Sequence, residues 1–209
     1  MSTARVPASG LMEFELYYDY LCPFVYRASL LLANVAGERP IDIRWRYFSL
    51  AQVNSKEDGW TAWGAPAAER VRGRLAFKAA EAARRQDRFD PFHANLLAAR
   101  HQDRLDIDDG KVVEQVAEES GLELERFRRD LADPAILDAF ARDHKHAVAA
   151  HGVFGTPTFV FANGASAYIR LTEAPSGAAA LRLFDSLLAI AADEPRVLEI
   201  KRPTRPSPD

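Results

Sequence analysis

Apolar and polar residues alternate from Glu13 to Tyr18, which predicts a strand. Pro23 then opens a helix, because a proline at the first helical position gives up an N–H that has no partner there. That helix is expected to run to Ala36 and to stop at Gly37. From Ile41 to Phe48 apolar and charged residues alternate again, the pattern of a half-buried strand. Strand, helix and strand at this spacing predict a right-handed crossover with parallel strands.

The period then changes. Ser49 to Pro66 reads as a loop carrying Trp60 and Trp63, and Ala67 to about Ala150 reads as several helices. Val71, Leu75 and Ala79 share one face. Asp108 or Asp109 caps a helix with Val112, Val113 and Val116 that ends at Gly121. Pro134 starts a longer helix, with Ile136, Phe140, His144 and Val148 on one stripe and Gly152 as its stop. Strand character returns from Thr158 to Phe161 and from Ala167 to Leu171. Asn163-Gly164 between them predicts a tight type I′ turn. Gly177 to Ala192 is an amphipathic helix, and the proline-rich end is expected to be extended or disordered. The expected fold class is therefore α/β: a βαβ unit and a ββα unit interrupted by an all-helical insertion. The expected boundaries are 11–60 and 152–200 for the first domain, 61–151 for the insertion and 201–209 for a flexible tail.

Composition narrows the function. A hydrophobic content of 48% suffices for a core, and a net charge of −3 gives no reason to expect nucleic acid as a partner. No apolar run is long enough to cross a membrane, and Met1 to Gly10 lacks the apolar stretch of a signal peptide, so the expected compartment is the cytoplasm. A monomer and a homodimer are both compatible with the sequence. A single cysteine, Cys22, excludes any intramolecular disulfide. It stands where the first strand gives way to the first helix, so its sulfur is expected to face the positive end of a helix dipole, at least partly exposed and inclined to the thiolate.

The segment Asp19-Tyr20-Leu21-Cys22-Pro23-Phe24-Val25-Tyr26 resembles the active-site stretch of the DsbA-like family, where D-x-x-C-P-W-C-Y is common. Gly152-Val153-Phe154-Gly155-Thr156-Pro157-Thr158 resembles the family's cis-proline loop. Ser49-Leu50-Ala51, Leu183-Phe184-Asp185 and Leu198-Glu199-Ile200-Lys201-Arg202 are similar to the branch that holds FrnE-like proteins and mycothiol-dependent nitroreductases. The resemblance implies a thioredoxin fold with a helical insertion. It also implies a cis Pro157 that holds Thr156 extended beside the thiol.

One departure limits the chemistry. Val25 stands where the family has its second cysteine, so the chain cannot close a C-x-x-C disulfide. The resemblance then implies a monothiol oxidoreductase. Cys22 is its nucleophile and glutathione or mycothiol its co-substrate, with no tightly bound cofactor. Its substrate is a small molecule or a protein disulfide. Two alternatives stand beside this: a thiol-dependent transferase or isomerase like the kappa-class glutathione transferases, which usually carry serine here, and a binding module with a degenerate site. The residues expected around a bound thiol are Pro23, Phe24, Tyr20, Thr156, Pro157 and His144. Phe24 and Tyr20 are read as an apolar rim. His144 is read as a core histidine or as a group under the proline loop. Asp19 is read as a cap or a group in proton transfer, and it ranks low, since a carboxylate near the sulfur opposes the thiolate. Trp60 and Trp63 are read as a substrate cover or as packing. His144, His146 and His151 suggest no zinc site, and no metal is expected.

Overall fold

The computed structural model describes residues 11–202, so the expectations for Met1 to Gly10 and for the tail beyond Arg202 lie outside the described residues. β1 (Met12–Tyr18), α1 (Pro23–Ala36) and β2 (Ile41–Tyr47) follow one another as the alternation predicts. Six helices come next: α2 (Leu50–Asn54), α3 (Arg74–Arg84), α4 (Phe89–His101), α5 (Gly110–Glu119), α6 (Leu124–Ala132) and α7 (Asp138–His151). β3 (Thr158–Phe161), β4 (Ser166–Tyr168) and α8 (Gly177–Ala191) close the fold. The four strands form one sheet in the order β2-β1-β3-β4. β1 runs parallel to β2 and antiparallel to β3, which pairs antiparallel with β4. This is a mixed α/β thioredoxin arrangement.

β1 is central and buried on both faces. Phe14, Leu16 and Tyr18 point into the main core, while Tyr17 points the other way, against Phe48, Ala147, Val153 and Val160. The parallel register sets Leu16 beside Trp45 and Tyr18 beside Tyr47, so both strands feed one aromatic layer. α1 buries Val25, Ala28, Leu31, Leu32 and Val35, a stripe with helical spacing. Each such leucine or valine contributes about 1.5–3 kcal/mol when fully buried. The stripe shares the main core with Phe14, Leu16 and Tyr18 of β1, and α1 also packs on α8. This fixes the N-terminus of α1 at the end of β1.

Several local expectations are corrected. The loop after β2 contains a short helix, α2, because Ser49 accepts a hydrogen bond from the Gln52 N–H and caps it. Val71 lies outside α3, which begins after Gly73 at a left-handed φ of 78°. Asp109 is the cap of α5, accepting from the Lys111 N–H. Asp108 instead accepts the Gly73 N–H on both oxygens. The helix expected from Pro134 is a 3₁₀ turn, Pro134–Leu137, followed by α7. Val148 leaves the apolar stripe and is 50% exposed. The hairpin turn is not type I′, since Gly164 has a positive φ and Asn163 does not. The Gly164 N–H donates to the Phe161 carbonyl and the Phe161 N–H to the Ala165 carbonyl, which makes a three-residue loop with glycine in its left-handed position.

Candidate active site

Cys22 is the N-cap of α1, with extended backbone angles and Pro23 at the first helical position. The turn before it is tied by its own aspartate. The Cys22 N–H donates to the Asp19 carbonyl at 3.0 Å, and Asp19 Oδ1 accepts the Leu21 N–H at 2.8 Å. Asp19 Oδ2 accepts the Leu50 N–H at 2.7 Å, joining this turn to the start of α2. The Asp19 side chain is fully buried. Burial pushes its carboxyl up to about 6, against the pull of those two backbone N–H groups. Sequence alone ranked Asp19 low. Its signal was the short spacing to Leu21, which suits an aspartate that bonds the backbone two residues on.

The Cys22 S–H donates to the Thr156 carbonyl at 3.2 Å, across 134 positions of sequence. The Thr156–Pro157 peptide bond is cis. The loop covers the sulfur, so Cys22 is 5% exposed, and the expected partly exposed thiol is corrected to a buried one. Thr156 Oγ1 is buried without a hydrogen-bond partner among the described residues. Pro23 is exposed and Pro157 is buried. The structure thus brings Cys22, Pro23, Thr156 and Pro157 to one place.

An aromatic rim borders that place. Phe24 is half-buried, with the guanidinium groups of Arg27 and Arg170 over its ring at 5.2 and 5.0 Å. Arg170 also lies 5.7 Å from the Tyr168 ring, and Tyr168 meets Phe154 at 5.0 Å. Phe154 is 67% exposed, an unusual exposure for so large a ring. A side-chain carbon at Gly155 would stand 3.3 Å from Tyr168, so glycine there permits the close approach. Sequence reasoning missed Phe154, Tyr168 and Arg170, which sit on a loop and an edge strand joined only by folding.

Tyr20 and His144 fall elsewhere. Tyr20 is fully buried and forms no rim. Its hydroxyl lies 3.0 Å from His93 Nδ1, and its carbonyl accepts from His101 Nε2 at 2.8 Å. His101 stacks on Tyr26, so α4 grips the turn before Cys22 from below. His144 accepts the Ser49 N–H at 3.1 Å and stacks on Phe48. It meets Trp63 at 5.3 Å, and its hydrogen bond goes to the loop after β2 rather than to the thiol. Trp63 packs edge-on against Phe140, and Trp60 donates to Glu69. Both tryptophans are packing residues in this structure.

Burial pushes His93 down from 6.5 to about 3 and His144 down from 6.5 to about 4, so both are neutral at pH 7. In the unfolded chain they take up protons near pH 6.5, so acid favours unfolding across the window from 6.5 down to the folded values. Asp19 works in the opposite direction. Its folded value near 6 against 3.8 means that the native state holds a proton which the unfolded chain has lost, and stability rises as pH falls from 6 to 3.8. Burial also holds His101 down and Asp108 and Asp143 up, and the three imidazoles, which take up protons in the unfolded chain from about pH 6.5 downward, leave a net loss between pH 7 and pH 5. The urea midpoint is expected to drop between about pH 7 and pH 5. A midpoint that stays level or rises would contradict the buried neutral histidines.

The expectation about histidines and metal needs one correction. β1 supplies the carboxylate that the sequence pattern did not reveal: atoms of Glu15, His146 and His151 lie within 4.8 Å of one another. Glu15 is already engaged by Arg46 at 2.7 Å and Arg44 at 3.6 Å. Those cations disfavour a metal ion beside it. Among the described residues no helix is long and apolar enough to cross a membrane.

The comparisons agree with this architecture. An uncharacterized protein of Mycobacterium tuberculosis, Rv2286c, is 29% identical over 200 residues, covering 92% of this chain and 83% of the relative. The crystal structure of a probable DsbA oxidoreductase from Streptomyces coelicolor matches with a TM-score of 0.63 and 21% identity, over 95% of this chain and 97% of that one. The cytosolic disulfide reductase DsbM from Pseudomonas aeruginosa, solved with GSH, matches with a TM-score of 0.53 and 21% identity, over 73% and 87% of the two chains. The model of the DSBA-like thioredoxin domain matches residues 13–189, which include the thiol turn, the whole helical segment, the proline loop and most of α8. The chain belongs to the DSBA-like thioredoxin family.

Proposed function

We propose that the protein is a monothiol oxidoreductase in which Cys22 exchanges with a low-molecular-weight thiol, glutathione or mycothiol. The observation that carries this reading is the placement of the lone sulfur. Its residue occupies the N-cap position of α1, and the sulfur lies 3.2 Å from the carbonyl of the residue before the cis proline, with no second cysteine in the chain. Loss of the S–H proton to solvent breaks the bond to Thr156 and leaves a thiolate at a helix N-terminus, the form that attacks disulfides. The thiolate forms a bond to one sulfur of a mixed disulfide R–S–S–R′, and R′–S⁻ departs. A free thiol RSH then attacks the Cys22–S–S–R bond, restores Cys22 and carries the oxidation away as R–S–S–R. Val25 makes this external thiol obligatory. The Thr156 hydroxyl, buried without a hydrogen-bond partner among the described residues, is available to a ligand arriving there. A chain with one thiol and no disulfide suits a reducing compartment, so we assign the reaction to the cytoplasm.

A second reading is favoured by the burial of the sulfur. A thiol that is 5% exposed and already donates a hydrogen bond can orient a bound thiol cofactor without a covalent bond, as a transferase or isomerase does. Mass spectrometry after incubation with glutathione disulfide or mycothiol disulfide separates the two. The expected result is one adduct per chain, released by the matching free thiol and absent in Cys22→Ser. An unmodified chain whose thiol is still fully titratable in denaturant would leave only the non-covalent reading.

A further inference from the structure

A cavity of about 540 Å³ opens against Leu21, the residue immediately before the thiol. This lies within the range of small-molecule sites. Arg70, Arg72, Arg100 and Arg104 line it, with Asp106 and Asp108. Four guanidinium groups against two carboxylates concentrate positive charge on a chain whose net charge is −3.

The charges are not equally free. Arg70 is paired with Asp106 at 2.7 Å, and Arg100 donates to the Leu105 carbonyl at 3.4 Å. Asp108 is turned to the wall, where both oxygens accept the Gly73 N–H. Neither Arg72 nor Arg104 makes an ion pair or a side-chain hydrogen bond among the described residues, and the Arg72 charge acts at longer range on Asp19 and Asp108. Arg104 sits at a φ of 60°, in the left-handed region that a non-glycine residue rarely adopts. The wall is continuous with the thiol turn. Gly73 stands so close to Leu21 that a side-chain carbon there would lie 3.3 Å from Leu21 Cδ1. Leu21 and Cys22 have Cα atoms about 3.8 Å apart, as trans-linked neighbours do.

We propose that this arginine cavity receives carboxylate groups of the molecule that meets Cys22. Unpaired guanidinium groups bind carboxylates through paired N–H donors and tolerate an uncharged replacement poorly. The carboxylates have two possible sources: a peptide thiol of the glutathione type, or an acidic substrate beside a thiol that lacks carboxylates, such as the glycosyl thiol mycothiol. The link to Cys22 rests on the monothiol reading above. The anion site itself is tested without any reaction at sulfur.

The test is calorimetric titration of the full chain with S-methylglutathione, its dimethyl ester and tricarballylate, a sulfur-free carboxylate. The same titrations are run on the Arg72→Ala/Arg104→Ala double variant. Both arginines are exposed, so the variant is expected to keep its circular dichroism and urea midpoint. S-methylglutathione is expected to bind about ten-fold more tightly than its ester, and the double variant is expected to abolish the difference. Added salt should weaken the acid and leave the ester unchanged. Arginine-dependent binding of tricarballylate, with no preference for S-methylglutathione over its ester, would support the cavity and assign the carboxylate to an acidic substrate. Failure of both acids to bind, or binding that the double variant leaves unchanged, would overturn the proposal. Absence of a mixed disulfide at Cys22 would sink the monothiol reading and leave these titrations untouched.

Discussion

Replacing Val25 by cysteine is expected to give the chain an internal dithiol couple that it lacks. Val25 is fully buried on the first turn of α1, and its N–H donates to the Cys22 carbonyl at 3.1 Å. That bond closes the turn and sets the two side chains on one face, with Cβ atoms about 5–6 Å apart before any adjustment. A disulfide needs Cβ atoms about 3.5–4.5 Å apart, so a small rotation of the first turn suffices. The substitution removes little volume, and in the reduced state it is expected to cost about 1 kcal/mol, as for other single-methyl losses in cores. Under mild oxidant, Val25→Cys should lose both free thiols in one cooperative step and shed two hydrogens in mass. The parent chain should give only adducts with added thiols. If both thiols of the oxidised variant still titrate in denaturant, the placement of the sulfur on α1 is wrong.

The stability of Asp19→Asn should depend on pH in a way the parent chain does not share. The parent carboxyl titrates near 6 in the folded protein and near 3.8 when unfolded, because burial disfavours its charge. Between those values folded Asp19 holds more of its proton than unfolded Asp19, so this carboxyl's own contribution to stability falls as pH rises, against the opposite slope of the histidines. The amide has no charge to bury and escapes this slope. Relative to the parent, the variant should therefore gain about 2 kcal/mol between pH 4 and pH 7. Against that gain stands one lost acceptor. The amide offers a single oxygen to the two N–H groups of Leu21 and Leu50, which costs about 1 kcal/mol at every pH. The charge effect wins at neutral pH and the lost bond weighs more in acid. His93 and His144 are common to both proteins and cancel in the difference. Parallel stability curves for the two proteins across this range would show that Asp19 is not a buried titrating group.

The candidate site was legible in the sequence wherever its chemistry is local. The cap position of Cys22, the proline after it and the start of α1 are written in consecutive residues, because capping and the missing proline N–H act within one turn. The same holds for the bounds of α1 and for β1 and β2, where alternation and a stop residue suffice. The resemblance of the two loops placed Thr156 and Pro157 beside the thiol, and the S–H bond to Thr156 measures that closeness.

What the sequence determined by itself is thus the order of the elements, the identity of the lone thiol and the loss of its partner at Val25. These follow from short-range rules and from counting. Tertiary structure alone decided how each side chain is surrounded. Tyr20 became core because α4 brings His93 and His101 to both ends of it, and His144 went to Ser49 because α7 packs on β2. Asp19 acquired its raised carboxyl from burial, which outweighs the opposing pull of the Leu50 N–H thirty-one positions away. The arginine cavity joins residues from the loops before α3 and after α4 to Leu21. Hydration, exposure and long-range charge depend on which segments meet, and no local pattern along the chain encodes that meeting.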